Sequence, residues 1–344
     1  MLGGGVYVTQ NKTLPGAYIN VVSTPKASAT LGERGVVAIA LPIGKAEGTV
    51  IELTKVDFVN DCEEKLGFEY ASDDAKVLRE IFCNATKVYV YDLGAESSKT
   101  VTDAINALEA YEFNVLCAYT AEPTDYVTAV KTWRDELGKK CQVVVYNQTK
   151  PDSEGVINVV STVSDEGVDA YALVAWVAGA EAGCPINASC TNKLYNGEYE
   201  VVTTKTQKEL EQCIKDGQFA FHLVYGDIRV LEDINSLITT TNDKGEDFKS
   251  NQTVRVTDAV ANDSAKLFNT KYLGKIPNNA SGRTSFWADL VAYFRDLEKL
   301  GAIETFDTSL LKVEQGATKK SVVVDVVVKV TNAMAQLYMT VVVQ

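Results

Sequence analysis

Between Lys87 and Thr241 short apolar runs alternate with helical patterns, and that alternation restricts this stretch to a mostly parallel sheet with helices on both faces. Lys87 to Tyr91, Phe113 to Tyr119, Cys141 to Tyr146 and Ile157 to Val160 read as strands. Helices are expected over Thr100 to Tyr111, from Pro123 to near Gly138, over Val168 to Ala182, and over Thr206 to Asp216 with Gly217 closing the last. Val168 to Ala182 is apolar on most sides and therefore belongs inside. Phe219 to Tyr225 and Ile228 to Val230 complete the strand pattern.

The flanks do not form domains by themselves. Residues 24–86 supply a strand, Val36 to Leu41, and a helix from about Asp73 to Phe82 with Ser72 as its expected N-cap. Residues 246–344 supply helices near Thr253 to Leu273 and Thr284 to Leu300. The second helix has an apolar stripe of Trp287, Leu290, Val291, Phe294 and Leu297, opposite Arg295, Asp296 and Lys299. The simplest arrangement packs the two flanks together and inserts the α/β unit between them.

Both ends of the chain are rich in strand formers. Val322 to Val330 and Tyr338 to Val343 are valine-dense, and Gly3 to Gly5 and Pro15-Gly16 each lead into β-rich runs. Exposed apolar edge strands template pairing with other chains. Each end can therefore pair inside its own domain or be donated to a neighbouring sheet, where main-chain hydrogen bonds give affinity and alternate side chains give register.

A length of 344 residues points to two or three domains. With 33 basic against 46 acidic residues the net charge is -13, which opposes the counterion-releasing contacts that nucleic acid demands. No basic segment leads into an apolar stretch after Met1, so no secretory signal is read, and Tyr171 to Ala182 is too short to span a bilayer. Seven cysteines without a C-x-x-C pair read as buried free thiols.

The search for chemistry finds little. His222 is the one histidine and lies in a strand pattern, so a serine relay would require it in a cleft beside an exposed serine, and no G-x-S-x-G elbow is present. Gly94 to Thr100 outlines a phosphate loop but lacks the glycine before Lys99, and Gly44-Lys45-Ala46 lacks the following Ser or Thr. Both read as helix caps or turns. No G-x-G-x-x-G follows a strand, and the neighbouring acids Glu63-Glu64 and Asp73-Asp74 read as solvated faces. No catalytic residue, cofactor site or metal site is assigned.

Four segments together resemble the tail sheath proteins of contractile phage tails and phage-tail-like bacteriocins, in the shorter Gram-positive form. They are Pro15-Gly-Ala-Tyr-Ile-Asn20 with Arg34 to Ala40, Trp176 to Tyr195, Ile234 to Thr239, and Ser321 to Asp325 through Leu337 to Val341. The resemblance implies an α/β fold class with a discontinuous α+β core, residues 24–86 plus 246–330, and an inserted outer α/β domain, residues 87–245, of subtilisin-like topology without catalysis. It also implies β arms at 1–23 and 331–344. Their strand-forming residues are Tyr18, Ile19, Val21 and Val22 at one end, and Tyr338, Met339, Val341, Val342 and Val343 at the other.

The same resemblance implies a structural subunit and not an enzyme, stacked as six-fold rings around a tail tube protein, with a baseplate and a tail terminator at the ends. Assembly is expected in the bacterial cytoplasm with release by lysis, without nucleic acid or membrane insertion. Arg295 and Lys299 are the candidate tube-facing residues, against the simpler reading of a solvated helix face. Joints are expected at Gly3 to Gly5, Pro15-Gly16 and Asn332 to Gln336. A surface-layer or filament subunit and an α/β enzyme are the competing readings.

Overall fold

The computed structural model describes residues 32–96 and 98–341. Its centre is a seven-stranded sheet made of β1 (Val36–Leu41), β2 (Val50–Thr54), β3 (Lys87–Asp92), β4 (Val115–Cys117), β5 (Gln142–Tyr146), β6 (Val156–Val159) and β7 (Gln218–Phe219). The order is β2-β3-β1-β4-β5-β6-β7, with β2 antiparallel to β3 and every other pair parallel. Every residue of β1 is buried, as a parallel strand covered on both faces must be. Val37 and Ile39 enter one core, and Val36, Ala38 and Ala40 enter the other.

A short α1 (Phe58–Asp61) and α2 (Lys76–Phe82) cover the first face with α5 (Leu173–Gly183). The second face carries α3 (Val101–Leu108) and α4 (Thr124–Thr132), which bring Leu108, Val130 and Trp133 onto the sheet. Helix α6 (Gln207–Lys215) leads into β7. Capping boxes start α3 and α6, with Thr100 and Thr206 accepting from the backbone N–H of Asp103 and Glu209. Leu173 to Ala182 are all buried, so α5 is the inner helix its composition predicts.

Beyond the sheet lie a hairpin, β8 (Phe221–Val224) with β9 (Asp227–Val230), and a C-terminal module. The module holds α7 (Asn251–Leu267), α8 (Ala280–Lys299), β10 (Lys312–Gln315) and β11 (Val322–Asp325). Phe286, Leu290, Tyr293, Phe294 and Leu297 of α8 form its core with Ile303 and Phe306. The Phe294 and Phe306 rings stack with centroids 4.7 Å apart.

The structure corrects several sequence expectations. Val36 to Leu41 does not belong to a piece outside the α/β unit: it lies between β3 and β4 at the centre of the sheet. Six consecutive buried residues are satisfied only by a strand covered on both sides, so the α/β body begins before residue 87. Ser72 does not cap its helix, because its hydroxyl donates to Glu69 O at 2.7 Å and the first turn is 3-10. The strand expected over Val322 to Val330 ends at Asp325, where β10 no longer supplies hydrogen bonds; beyond it Val330 makes only an isolated bridge to Ile303. Tyr338 to Val341 form no strand, and Val342 and Val343 lie outside the described residues, as does the N-terminal arm with Tyr18, Ile19, Val21 and Val22.

Helices α2 and α5 meet through glycine. A Cβ on Gly179 would sit 2.2 Å from the carbonyl oxygen of Ile81, a backbone atom with no room to retreat. Gly179→Ala is expected to lower stability by about 1–3 kcal/mol or more. Gly245→Ala, where nothing lies within 4 Å, should stay within about 0.5 kcal/mol of wild type. Urea unfolding of the two variants measures the difference, and equal stabilities would contradict the packing.

Candidate functional site

In doubly wound folds ligands sit beyond the carboxyl ends of the strands where the strand order reverses. Here that place lies between β1 and β4, and the turns next to it, after β1 and β3, are tied to a buried carboxylate. Asp92, at the end of β3, accepts from the N–H groups of Ile43 (3.1 Å), Gly44 (2.7 Å), Ala46 (2.7 Å) and Gly94 (2.8 Å). Burial works against its charge, but these four donors hold its pKa below the ordinary carboxylate range. Donors that a phosphate would need thus already serve Asp92. Tyr119, just after β4, packs edge-on against Tyr171 with centroids 4.9 Å apart. His222 lies on the β8–β9 hairpin opposite Arg229, where burial draws its pKa down.

The opposite edge of the sheet carries the denser chemistry. Helix α7 runs past the amino ends of the strands and is attached to the α/β body by a ladder of polar side chains. Asn251 accepts from Gln142 Nε2 at 3.0 Å, and Asp258 receives both terminal nitrogens of Arg134 at 2.6 and 2.9 Å. Asn262 exchanges hydrogen bonds with the backbone of Lys140, and Lys266 lies 3.2 Å from Glu112. Asp263 accepts from the N–H of Gly32 at 3.0 Å and from the Tyr293 hydroxyl at 2.9 Å, joining the N-terminal flank to α8.

At the middle of this ladder Arg255 is buried. Its Nη2 lies 2.6 Å from Glu181 Oε2 and 3.3 Å from Asp233 Oδ2, and its Nη1 donates to Ala188 O at 2.8 Å. Burial disfavours the cation, but Asp233 and Glu181 overcome it and raise the Arg255 pKa. Burial and then the Asp233 charge raise the Glu181 pKa well above the usual range, while Arg255 and hydrogen bonds hold Asp233 below it despite burial. Glu181 Oε1 and Asp233 Oδ1 are buried with no hydrogen-bond partner among the described residues, and burial with the neighbouring Asp233 charge favours the neutral form of Glu181.

Glu181, Asp233 and Cys190 lie close enough to suggest a metal, with donor atoms within 4.8 Å of one another. The guanidinium already supplies the positive charge there, and Cys190 Sγ donates to Ala180 O at 3.5 Å. The donor set is that of an ion-paired junction. Arg34 extends it: its Nε donates to Cys184 O at 3.1 Å and its Nη2 to Glu181 O at 3.2 Å, at the carboxyl end of α5. Burial, then the nearby Arg255 cation, bring the Arg34 pKa down to about 10.

The structure does not bring the sequence-predicted site residues together. Arg295 pairs with Glu298 at 2.5 Å and Lys299 with Asp296 at 2.9 Å, each within α8. Tyr338, Met339 and Val341 are 87%, 74% and 71% exposed. The junction residues Arg255, Asp258, Asn262 and Asp263 were not singled out by sequence. Their signal was a long helix with polar residues on several faces, which in a folded chain marks a helix bridging two units.

Turn amides taken up by a buried carboxylate, an α/β body joined to α7 by paired polar groups and a bare apolar tail are the features of a structural subunit. Residues 94–236 match the phage tail sheath protein central domain, and residues 243–344 match the phage tail sheath C-terminal domain. The tail sheath protein of Clostridium phage phiCD119 is 31% identical over 256 residues, spanning 73% of this chain and 69% of that protein. The chain belongs to the phage tail sheath family and is a structural sheath protein, not an enzyme.

Solved structures share the fold. The sheath tail protein of Listeria innocua superposes with a TM-score of 0.78 at 22% identity, over 88% of this chain and 93% of that one. The anti-feeding prophage helical sheath in its contracted state gives 0.67 at 15% identity, over 97% and 99%.

The Glu181 proton has a measurable consequence. Unfolded, this glutamate releases its proton near pH 4.5; folded, it retains it to higher pH, so its contribution is fully present below 4.5 and is lost as pH rises toward the folded pKa. Glu181→Gln keeps a donor toward Asp233 and an acceptor toward Arg255 without the linked proton. It should equal or exceed wild type in stability at pH 8, with the advantage closing toward pH 4.5. Arg255→Met, which strands the carboxylates, should lose about 3–5 kcal/mol. Urea titrations at both pH values test this, and a Glu181→Gln protein weaker than wild type at pH 8 would refute the protonated assignment.

Proposed function

We propose that this chain polymerises as stacked six-fold rings around a tail tube, and that contraction moves rigid bodies while donated β arms keep neighbours joined. The observation that carries the reading is the C-terminal segment. From Met334 to Val341 it makes no hydrogen bond to the rest of the described molecule, and Met334, Leu337 and Tyr338 are almost fully bare. Apolar side chains in such a row are a liability unless another chain covers them.

The arms consist of Tyr18, Ile19, Val21 and Val22 at one end and Tyr338, Met339, Val341, Val342 and Val343 at the other. The two-stranded β10–β11 sheet, which has open edges among the described residues, is the kind of surface that accepts an added strand. An extended arm of about 20 residues spans on the order of 65 Å. Each main-chain bond adds roughly 0.5–1.5 kcal/mol net, so several bonds with buried valines outlast a rearrangement of weaker, screened body contacts.

In this reading the sheet with its helices is the outer, non-catalytic α/β domain of subtilisin-like topology, and the C-terminal module faces the tube. Arg295 and Lys299 are the proposed tube contacts, exchanging their intrahelical partners for acidic groups of the tube. Assembly takes place in the bacterial cytoplasm between baseplate and terminator, with release by lysis.

Deleting residues 334–344 should leave a folded monomer that forms no sheath when mixed with tube protein, as seen by negative-stain microscopy. Sheaths of normal length from the truncated chain would eliminate the arm. Changing Arg295 and Lys299 to glutamate should abolish assembly on tubes, and unchanged assembly would remove those two residues from the tube face.

A further inference from the structure

One side chain holds the base of the C-terminal arm at both ends of a three-residue stretch. Gln252, on the first turn of α7 and only 2% exposed, donates from Nε2 to Thr331 O at 3.0 Å and accepts at Oε1 from Ala333 N at 2.9 Å. A primary amide that gives and receives one hydrogen bond across two residues of extended chain reproduces what a neighbouring strand residue does. Thr253 Oγ1 adds a bond to the Asn332 side chain at 3.2 Å, and Thr331 N donates to Ala302 O at 3.0 Å. Past Ala333 no such contact continues among the described residues, and Met334 is fully exposed.

We infer that Gln252 is the positioning residue of the arm: it stands in for a strand, fixes the exit of the chain at Ala333, and places the pivot of the arm at Ala333–Met334. This rests on the arm reading above and adds to it a residue and a position. The physical reason is the contrast across one peptide. Residues 331–333 have both backbone partners and side-chain partners on α7, which is itself bolted to the body, whereas the next residue has none. The arm therefore leaves every subunit from one point and in one direction, which an arm must do to reach the same site on every neighbour. A free chain of the same length would sample a large volume and lose effective concentration at the acceptor.

Hydrogen–deuterium exchange on the unassembled full chain reads the clamp without any assembly. In wild type the amide of Ala333 is protected and those of 334–341 exchange freely. In Gln252→Leu the Ala333 amide should exchange faster by on the order of tenfold, the factor expected from losing about 1.4 kcal/mol of hydrogen bonding. Gln252→Met, close to glutamine in length but without either hydrogen-bonding atom, serves if the leucine variant does not fold. Unchanged exchange in a folded variant overturns the clamp.

Sheath formation on tubes reads the positioning role. The variants should assemble into fewer and shorter sheaths than wild type, and full-length sheaths despite a released Ala333 amide would overturn that role. Failure of the arm reading itself is separate: it would appear as normal sheaths from the chain lacking residues 334–344, whatever the exchange data show.

Discussion

The buried cluster of Arg255 with Asp233 and Glu181 is the constraint on which the arrangement of this subunit depends. Three elements distant in sequence meet there: α5 through Glu181, the segment after β9 through Asp233, and α7 through the guanidinium. A buried pair of this kind adds little net stability, because desolvation offsets the attraction, but every alternative arrangement leaves a charge without a partner. The same logic runs along the helix. Asn251, Arg255, Asp258, Asn262 and Asp263 each hold at least one specific partner, so a rotation or a one-turn shift of α7 would orphan several buried groups together. An apolar helix face could slide; this one has a single satisfied position.

That rigidity suits a sheath subunit. Where motion between subunits is concentrated in arms and body contacts, the body must transmit force without deforming, and a polar ladder resists sliding better than dispersion contacts alone. Helix α7 serves both ends of the problem. Its middle is locked into the α/β body, and its first turn holds residues 331–333 through Gln252. The locked body and the exposed C-terminal segment are thus separated within a few residues of chain.

Much of the α/β body could be read from sequence, because strands buried on both faces and helices with capping boxes leave local patterns. Thr100-to-Asp103, Thr206-to-Glu209 and the unbroken apolar run of β1 are such patterns. The placement of β1 was not legible, since a continuous apolar strand carries no mark of its neighbours and only the pairing with β3 and β4 reveals it as central. The end of β11 was equally hidden: Val326 to Val330 keep the composition of a strand, but the partner strand stops at Lys312. The α7 junction escaped because its residues are polar and far apart in sequence, so burial could not be inferred from any one of them. Three of the segments that carry the sheath resemblance do converge there: Arg34 donates to the end of α5, and Glu181 of α5 and Asp233, beside the third segment, meet Arg255 of α7.

The two edges of the sheet show how an α/β body can host structure in place of catalysis. At the carboxyl edge, one buried aspartate takes up the N–H groups of the turns after β1 and β3, which elsewhere would form the anion cradle. At the amino edge, α7 covers the strand starts and turns charges inward to meet it. Both devices satisfy internal groups where an enzyme would leave them open to a substrate. A parallel sheet brings convergent backbone dipoles and loops to its edges whatever its function, and here they are consumed in making one rigid piece. Among the described residues, the apolar chain past Ala333 is left without such internal partners.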